Sequence, residues 1–204
     1  MDRRLTQRGK DRRRQLMDYA ARRFAENGYH PTSVAEIVQG MGVGKGVFYW
    51  YFSSKEELFG EILKEAYTDL RRRQQQSVLE SDDPVQRIEG GIRASMLWLA
   101  EHRHLIGLFQ FAASEDRFAP SVRRGQDVSV ADVVRHVKEG IVAGRIRDVD
   151  PLVLSHAILG VTNHLARVFL FERNEPAEHV ADQAISFCRE GLLGAPVGTA
   201  PTAS

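Results

Sequence analysis

Apolar residues recur at helical spacing along nearly the whole chain. From about Gly9 to Glu26, Leu16, Met17, Ala20, Ala21, Phe24 and Ala25 form one face of a helix, and Arg12, Arg13, Arg14, Arg22 and Arg23 crowd the rest. Asn27-Gly28 ends it, with Gly28 free to take a left-handed cap conformation. A second, short helix starts at Ser33 and ends at Gly40. Ser33 and Glu36 have the spacing of a capping box. After Met41-Gly42-Val43-Gly44 the pattern predicts a third short helix from about Lys45 to Tyr51. Ser54 and Glu57 repeat the capping box and open a fourth, whose face of Leu58, Ile62, Leu63, Ala66, Tyr67 and Leu70 runs for about five turns. That face dissolves in Arg71–Gln76.

The polar stretch Gln74–Asp83 reads as a soft joint. Asp83-Pro84 then begins a helix, with proline at the one position where its missing N–H costs nothing. Val85, Ile88, Ile92, Met96 and Leu99 stripe it. A short helix over about 105–112 follows, then a long one from Pro120 to Gly144. Asp150-Pro151 and Glu175-Pro176 start two more, over about 151–172 and 176–191. Short alternating runs such as 127–134 lie inside stretches that fit helical period better, and there are no hairpin dipeptides and no internal repeat. The expected fold is all-α, with about nine helices. Residues 1–55 are expected to form one three-helix domain and 56–194 a second, larger helical domain. The small, proline-bearing end at 195–204 is expected to be a disordered tail.

Charge changes this picture more than composition does. Residues 1–55 hold 11 Lys/Arg against 5 Asp/Glu, a balance of +6, while 56–204 hold 17 against 22, a balance of −5. A basic front on a mildly acidic body points to a polyanion as the partner of the front. No apolar run is expected to reach the roughly 18–20 residues that cross a bilayer. The basic N-terminus is not followed by the apolar stretch of a secretory signal, so a cytoplasmic protein with no membrane partner is expected. The single cysteine, Cys188, excludes an internal disulfide framework and a multi-thiolate zinc site.

Two short helices joined by a tight, glycine-bearing turn make a helix-turn-helix. Val34, Ile37, Val43, Val47, Phe48 and Phe52 can hold such a module together, which leaves Lys45, Tyr49, Trp50 and Tyr51 on the exposed side of the third helix. Lys45 can reach guanine O6 and N7 or a phosphate. The tyrosines can donate to phosphates, and Trp50 can press on a sugar or a thymine methyl. Gly44 and Gly46 let the start of the helix approach the DNA backbone closely. Thr32 and Ser33, and Lys55 on the fourth helix, lie at helix N-termini that favour a phosphate. Arg3, Arg4, Arg8 and Lys10 form an arm that can reach an adjacent groove.

The same stretch, from Gly28-Tyr29 through Thr32-Ser33-Val34, Ile37, Gly42-Val43, Lys45-Gly46, Phe48-Tyr49 and Phe52 to Ser54-Lys55-Glu56-Glu57-Leu58, resembles the DNA-binding module of the TetR family of bacterial transcriptional regulators. The resemblance covers about residues 12–63. It implies phosphate contacts at Tyr49 and Lys55, a homodimer built from the last two long helices, and an inducer pocket in the middle of the chain. One departure is Gly44, where the family often carries a capping serine or threonine.

The helix over 151–172 is apolar on more than one face, so a second copy is expected to cover Leu154, Ile158, Val161 and Leu165, with Ile185 and Cys188 of the last helix beside them. Met96, Trp98, Phe109, Phe111 and Phe118, with Asn163 and His164, are candidate lining residues of the inducer pocket. The overall expectation is a sequence-specific regulator of double-stranded DNA, a repressor released from a palindromic operator by a small molecule, with no cofactor and no metal. A helix-turn-helix protein without an inducer stays open beside it. A helical-bundle metal enzyme is disfavoured: Glu101-x-x-His104 occurs once, and di-iron chemistry needs two such motifs and two further glutamates.

Overall fold

The computed structural model describes residues 6–79 and 81–193, so the expected tail at 195–204 and the arm residues Arg3 and Arg4 lie outside the described residues. Among the described residues the secondary structure is entirely helical: α1 Gln7–Asn27, α2 Val34–Gly40, α3 Lys45–Tyr51, α4 Lys55–Val78, α5 Pro84–Glu101, α6 Arg103–Ser114, α7 Ala119–Val142, α8 Pro151–Leu165 and α9 Ala177–Leu193. Capping chemistry sets most of the boundaries. The Thr6 hydroxyl accepts from the Gly9 amide, and Asp83 and Asp150 accept from the amides of Val85 and Leu152, each just ahead of a proline in the first turn. Gly28 ends α1 at φ 87°, ψ 158°, a region that only glycine enters freely, although not the left-handed helical well expected from the sequence.

Both capping boxes are half formed. Ser33 Oγ accepts from the Glu36 amide, but the Glu36 carboxylate turns to Arg23 and Asn27 instead of reaching back to the cap. Ser54 Oγ likewise accepts from Glu57, whose carboxylate takes the amide and hydroxyl of Ser53, one residue early.

Two expectations about helix ends are corrected. α4 does not dissolve at Arg71–Gln76, because those polar side chains find partners: Arg71 pairs with Asp132, Arg72 with Asp69, and Gln74 donates to Ser95. The joint therefore shrinks to the few residues before Pro84. The helix over 151–172 is α-helical only to Leu165 and continues as a π-helical turn, Ala166–Glu172. This combined run of 22 residues contains an 18-residue window with a mean hydropathy of 1.2 and so is also long and apolar enough, by length and composition, to cross a membrane, against expectation. Its stripe of Leu154, Ile158, Ala166 and Leu170 packs into a helical core with Val85, Ile92, Val180 and Ala184.

The chain divides into two compact units. The first holds the residues up to Thr68 together with His104–Gly125, a segment that sequence analysis assigns to the regulatory domain. The second holds Asp69–Arg103 and the residues from Gln126 on. α4 begins in the first unit and ends in the second.

The core of the first unit is aromatic. Phe59 is fully buried, with Phe24 edge-on at 5.6 Å, Tyr29 at 4.9 Å, Phe111 at 5.8 Å and Phe118 at 4.7 Å. The core of the second is aliphatic, with Trp98 as its one large buried aromatic; the indole N–H donates to Asp69 at 2.7 Å.

Candidate nucleic-acid interface

α3 is short, and its sequence Lys-Gly-Val-Phe-Tyr-Trp-Tyr divides it by face. Phe48 is fully buried, and Phe52, just past the helix end, is 1% exposed; their rings lie 5.8 Å apart. On the opposite side Tyr49 and Trp50 are 56% and 58% exposed, and Lys45 is exposed with them. Tyr49 is braced from below, its ring edge-on to Phe48 at 5.3 Å. Tyr51 is half-buried beside Phe52, so it stands at the margin of this face. Gly44 caps α3 with no side-chain hydrogen bond, and a Cβ at Gly44 or Gly46 would meet nothing within 4 Å. The N-terminus of α3 is therefore open to close approach. Gly42 makes the turn ahead of it at φ 65°, a left-handed conformation that a side chain would strain.

A second glycine is required by space. A Cβ on Gly40, at the end of α2, would run into the Tyr19 hydroxyl of α1. The packing of α1 on α2 therefore fixes where the helix-turn-helix stands on its support.

Two expected contact residues are engaged within the module, and for the Thr32 side chain this corrects the expectation of a phosphate contact. Thr32 is fully buried, its hydroxyl donating to the carbonyl oxygen of Gly28 at 2.8 Å, so its side chain holds the turn after α1 and faces no solvent. Lys55 is half-buried over the Tyr29 ring, 4.3 Å from its centroid, and its ammonium donates to the carbonyls of Tyr29 and Thr32, both at 2.9 Å. Burial pushes the Lys55 pKa down. Its first role is thus to tie α4 to the α1–α2 turn. Ser33 stays exposed, although its hydroxyl already caps α2.

Arg13 and Arg23, two of the five arginines that crowd α1, are similarly engaged. Arg13 bonds Glu61 at 2.6 Å and Glu65 at 3.1 Å and lies over the Phe52 ring, while Arg23 bonds Glu26 and Glu36. Arg14 and Arg22 remain exposed. Sequence periodicity cannot separate the two kinds of arginine, because Glu36, Glu61 and Glu65 lie on other helices.

The inducer-pocket residues expected from the sequence are not brought together. Met96 and Trp98 are core residues of the second unit, 0% and 1% exposed. Phe111 and Phe118 belong to the aromatic core of the first unit, and Phe109 packs on Tyr67 there. Asn163 and His164 are exposed on α8.

The second unit instead contains a cavity of about 330 Å³ whose walls include Arg71, Gln74, Asp132, Arg135 and His136 among apolar residues of α5, α7 and α8. No local signal marks these residues, since each lies on the polar side of its own helix pattern. A separate groove of about 710 Å³ between α8 and α9 is lined by Val161, His164, Leu165, Phe169 and Phe187.

The expected dimer residues divide in the same way. Leu154, Ile158, Ile185 and Cys188 are 4–7% exposed and pack mainly within their own chain. Val161 and Leu165 line the groove together with Phe187, which is 64% exposed, and Val153 at the start of α8 is 58% exposed.

His102, part of the Glu101–His104 sequence, caps α5. Its Nδ1 lies 2.8 Å from the carbonyl oxygen of Trp98, and its ring stacks on the indole at 4.3 Å. Among the described residues no three His, Cys, Asp or Glu side chains group as metal ligands.

Comparison with known proteins agrees with this architecture. Residues 16–62 match the family profile "Bacterial regulatory proteins, tetR family", and residues 81–192 match "Tetracyclin repressor-like, C-terminal domain". The uncharacterized HTH-type transcriptional regulator YhgD of Bacillus subtilis is 26% identical over 172 residues, which cover 81% of this chain and 87% of that protein. The HTH-type transcriptional repressor KstR2 of Mycobacterium tuberculosis is 33% identical over 112 residues, 53% of this chain and 56% of that protein. The solved structure of KstR2, a ketosteroid transcriptional regulator, superposes with a TM-score of 0.70 at 27% identity, covering 90% of this chain and 96% of that one. The fatty acid degradation regulator FadR of Bacillus halodurans shares the fold, with a TM-score of 0.80 at 18% identity over 90% of this chain and 97% of its own. The second profile alone spans more than half of the chain, and the first falls on the helix-turn-helix, so the chain is a helix-turn-helix transcriptional regulator that belongs to the tetR family.

Proposed function

We propose that the protein is a repressor that binds a palindromic operator as a homodimer and lets go of it when a small molecule enters the second unit. The observation that carries the DNA-binding part is the exposed face of α3. Lys45, Gly46, Tyr49 and Trp50 stand clear of the core on a helix braced by Phe48 and Phe52. Lys45 and the Tyr49 hydroxyl supply phosphate or base-edge contacts, and Trp50 supplies an apolar one. Gly44, Ser33 and Tyr51 flank that face. Lys55 contributes indirectly by holding α4 against the turn that carries α2.

The homodimer is supported by the apolar α8–α9 groove, with exposed Phe187 on its wall, and by exposed Val153 on α8. A second copy covers an apolar surface of this kind by two-fold symmetry, and two α3 helices then reach half-sites about 34–36 Å apart. Ligand gating is supported by the cavity in the second unit, whose wall includes Arg71 and Gln74 from the last turns of α4. A ligand that moves those turns acts on the helix whose first turn carries Lys55, and population shift away from the DNA-competent state follows. The name of KstR2 refers to ketosteroids; here the cavity itself is the better guide to ligand chemistry.

The test is fluorescence anisotropy of the purified protein on DNA from its own promoter region, titrated with salt and scrambled competitor. Tight binding that resists competitor and is lost in a Lys45→Ala/Tyr49→Ala variant supports the reading. Failure on that DNA and on a random-sequence pool sinks it.

A further inference from the structure

The segment His104–Gly125 leaves the second unit after Arg103 and returns to it at Gln126, so the backbone ties it to that unit at both ends. By sequence it lies within the span matched by the C-terminal profile, yet it packs with the helix-turn-helix in the first unit. The corner between α6 and α7 at its centre is closed on itself. The Glu115 carbonyl accepts from the amides of Phe118 and Ala119, both at 2.9 Å. A shift of α5, or of the later part of α7, therefore reaches a compact corner through the chain itself.

Two polar contacts fasten that corner to the rest of the first unit. The Arg117 guanidinium donates to Glu56 Oε1 at 3.2 Å, and the Tyr29 hydroxyl donates to the same oxygen at 3.1 Å. Glu56 stands in the first turn of α4, and Tyr29 in the turn that leads from α1 into α2. A single carboxylate oxygen thus joins three parts of the unit. Burial pushes the Tyr29 pKa up, so the hydroxyl keeps the proton that it donates. Lys55, beside Glu56 in the chain, sends its ammonium to the carbonyls of Tyr29 and Thr32. Next to this junction His30 Nε2 lies 3.6 Å from Glu115 Oε1, and the His30 ring stands edge-on to Phe111 at 5.4 Å.

Resting on the reading of α3 as the DNA-contacting helix, we propose that the α6–α7 corner is a latch on the reading head. Arg117, acting through Glu56, is a positioning residue: it holds the α1–α2 turn, and with it α2 and α3, in the arrangement that binds DNA. The second unit then has a route to the head besides α4. The ring contacts of Phe111 and Phe118 with Tyr29 and Phe59 attract without strict direction, whereas hydrogen bonds to one oxygen fix where the Tyr29 hydroxyl and Arg117 stand. Both partners of the Arg117–Glu56 pair are half-exposed, which limits its strength. Such a pair biases the corner toward the closed position and leaves it able to open.

The test measures operator affinity, its salt dependence and the melting temperature of the full chain for Arg117→Gln, Glu56→Gln, the double variant and Arg117→Lys. Glutamine at position 56 keeps an acceptor for Tyr29 and removes the charge that Arg117 answers. In about 0.15 M salt, where distant charges are screened, each single variant is expected to weaken operator binding about two- to fivefold. The salt slope should stay unchanged and the melting temperature fall by no more than about 4 °C. The double variant is expected to bind no more weakly than the weaker single one, because both changes remove the same contact. Arg117→Lys should recover part of the loss. Losses that multiply in the double variant, or a salt slope in Arg117→Gln reduced by about one, would mean that Arg117 touches DNA itself and would overturn the latch. Unchanged binding in Arg117→Gln would overturn it too, and so would tighter binding, which would make the closed corner a feature of the released state. If the wild-type chain binds neither operator nor random-sequence DNA, the DNA-binding reading fails and the latch with it; wild-type binding with a failed cycle removes the latch alone.

Discussion

The two units use charged and aromatic residues in opposite ways. In the first unit the aromatic rings fill the interior, and cations tie elements together: Arg13 to Glu61, Arg23 to Glu36, Lys55 to the carbonyls of Tyr29 and Thr32. What stays outward on α3 is a small set of side chains held on a stiff base. In the second unit the interior is aliphatic and borders an open cavity, whose wall carries guanidinium groups paired with carboxylates, Arg71 with Asp132 and Arg87 with Glu139. A reading head gains from interlocked rings, because DNA contacts need fixed spacing. A sensor gains from unfilled volume, because a guest can then alter its packing.

The largest test of this contrast is Phe59→Ala. Truncating a fully buried ring at the centre of the aromatic core is expected to cost about 3–5 kcal/mol, and thermal unfolding should show it together with lost DNA binding. A stability loss below about 1 kcal/mol would mean that the head is not rigidified by that cluster. Next in size, Lys45→Ala and Tyr49→Ala are each expected to weaken operator binding by about 1–3 kcal/mol with an unchanged melting temperature, since both side chains face outward. Lys55→Met sharpens the distinction between clamp and contact. A clamp loses about 1–2 kcal/mol of stability; a pure phosphate contact leaves the melting temperature alone and lowers only the salt dependence of binding.

Two smaller effects probe the second unit. Burial, the larger influence, holds the His136 pKa below its ordinary value in the fold. The unfolded chain therefore takes up the proton first, and the stabilising contribution, full above about pH 6.5, is lost as pH falls from there through the folded value. His136→Gln should flatten that part of the stability profile, and an unchanged slope counts against the assignment. The Cys188 thiol, pushed up to about 11 by burial, is expected to resist thiol reagents at pH 8 until the protein is unfolded; rapid labelling of the native protein would contradict its core position.

The helices were legible in the sequence because caps and apolar stripes are local. Ser33, Asp83-Pro84 and Asp150-Pro151 mark their own helix starts, and Phe48 and Phe52 declare the inner face of α3 by spacing alone. The inward use of Thr32 and Lys55 was not legible, because the carbonyls they hold become neighbours only after folding. The cavity was hidden for a related reason. Aromatic residues attract attention in a sequence, yet Trp98, Phe111 and Phe118 are packing, while the cavity wall draws on Arg71 and Asp132, 61 positions apart and each indistinguishable from a solvated surface charge. α4 outlasted its apolar stripe for the same reason, Arg71 and Gln74 having distant partners in Asp132 and Ser95.

The discontinuity of the first unit bears on how regulators of this kind can be recombined. Tyr29 and Phe59 are roofed by Phe111 and Phe118 from the later segment His104–Gly125. A fragment cut after α4 would leave that ring surface bare to water and prone to clumping. A chimera that exchanges operator preference between two such regulators therefore has to transplant α6 and the start of α7 along with the helix-turn-helix, or redesign the rings where the graft meets its new host.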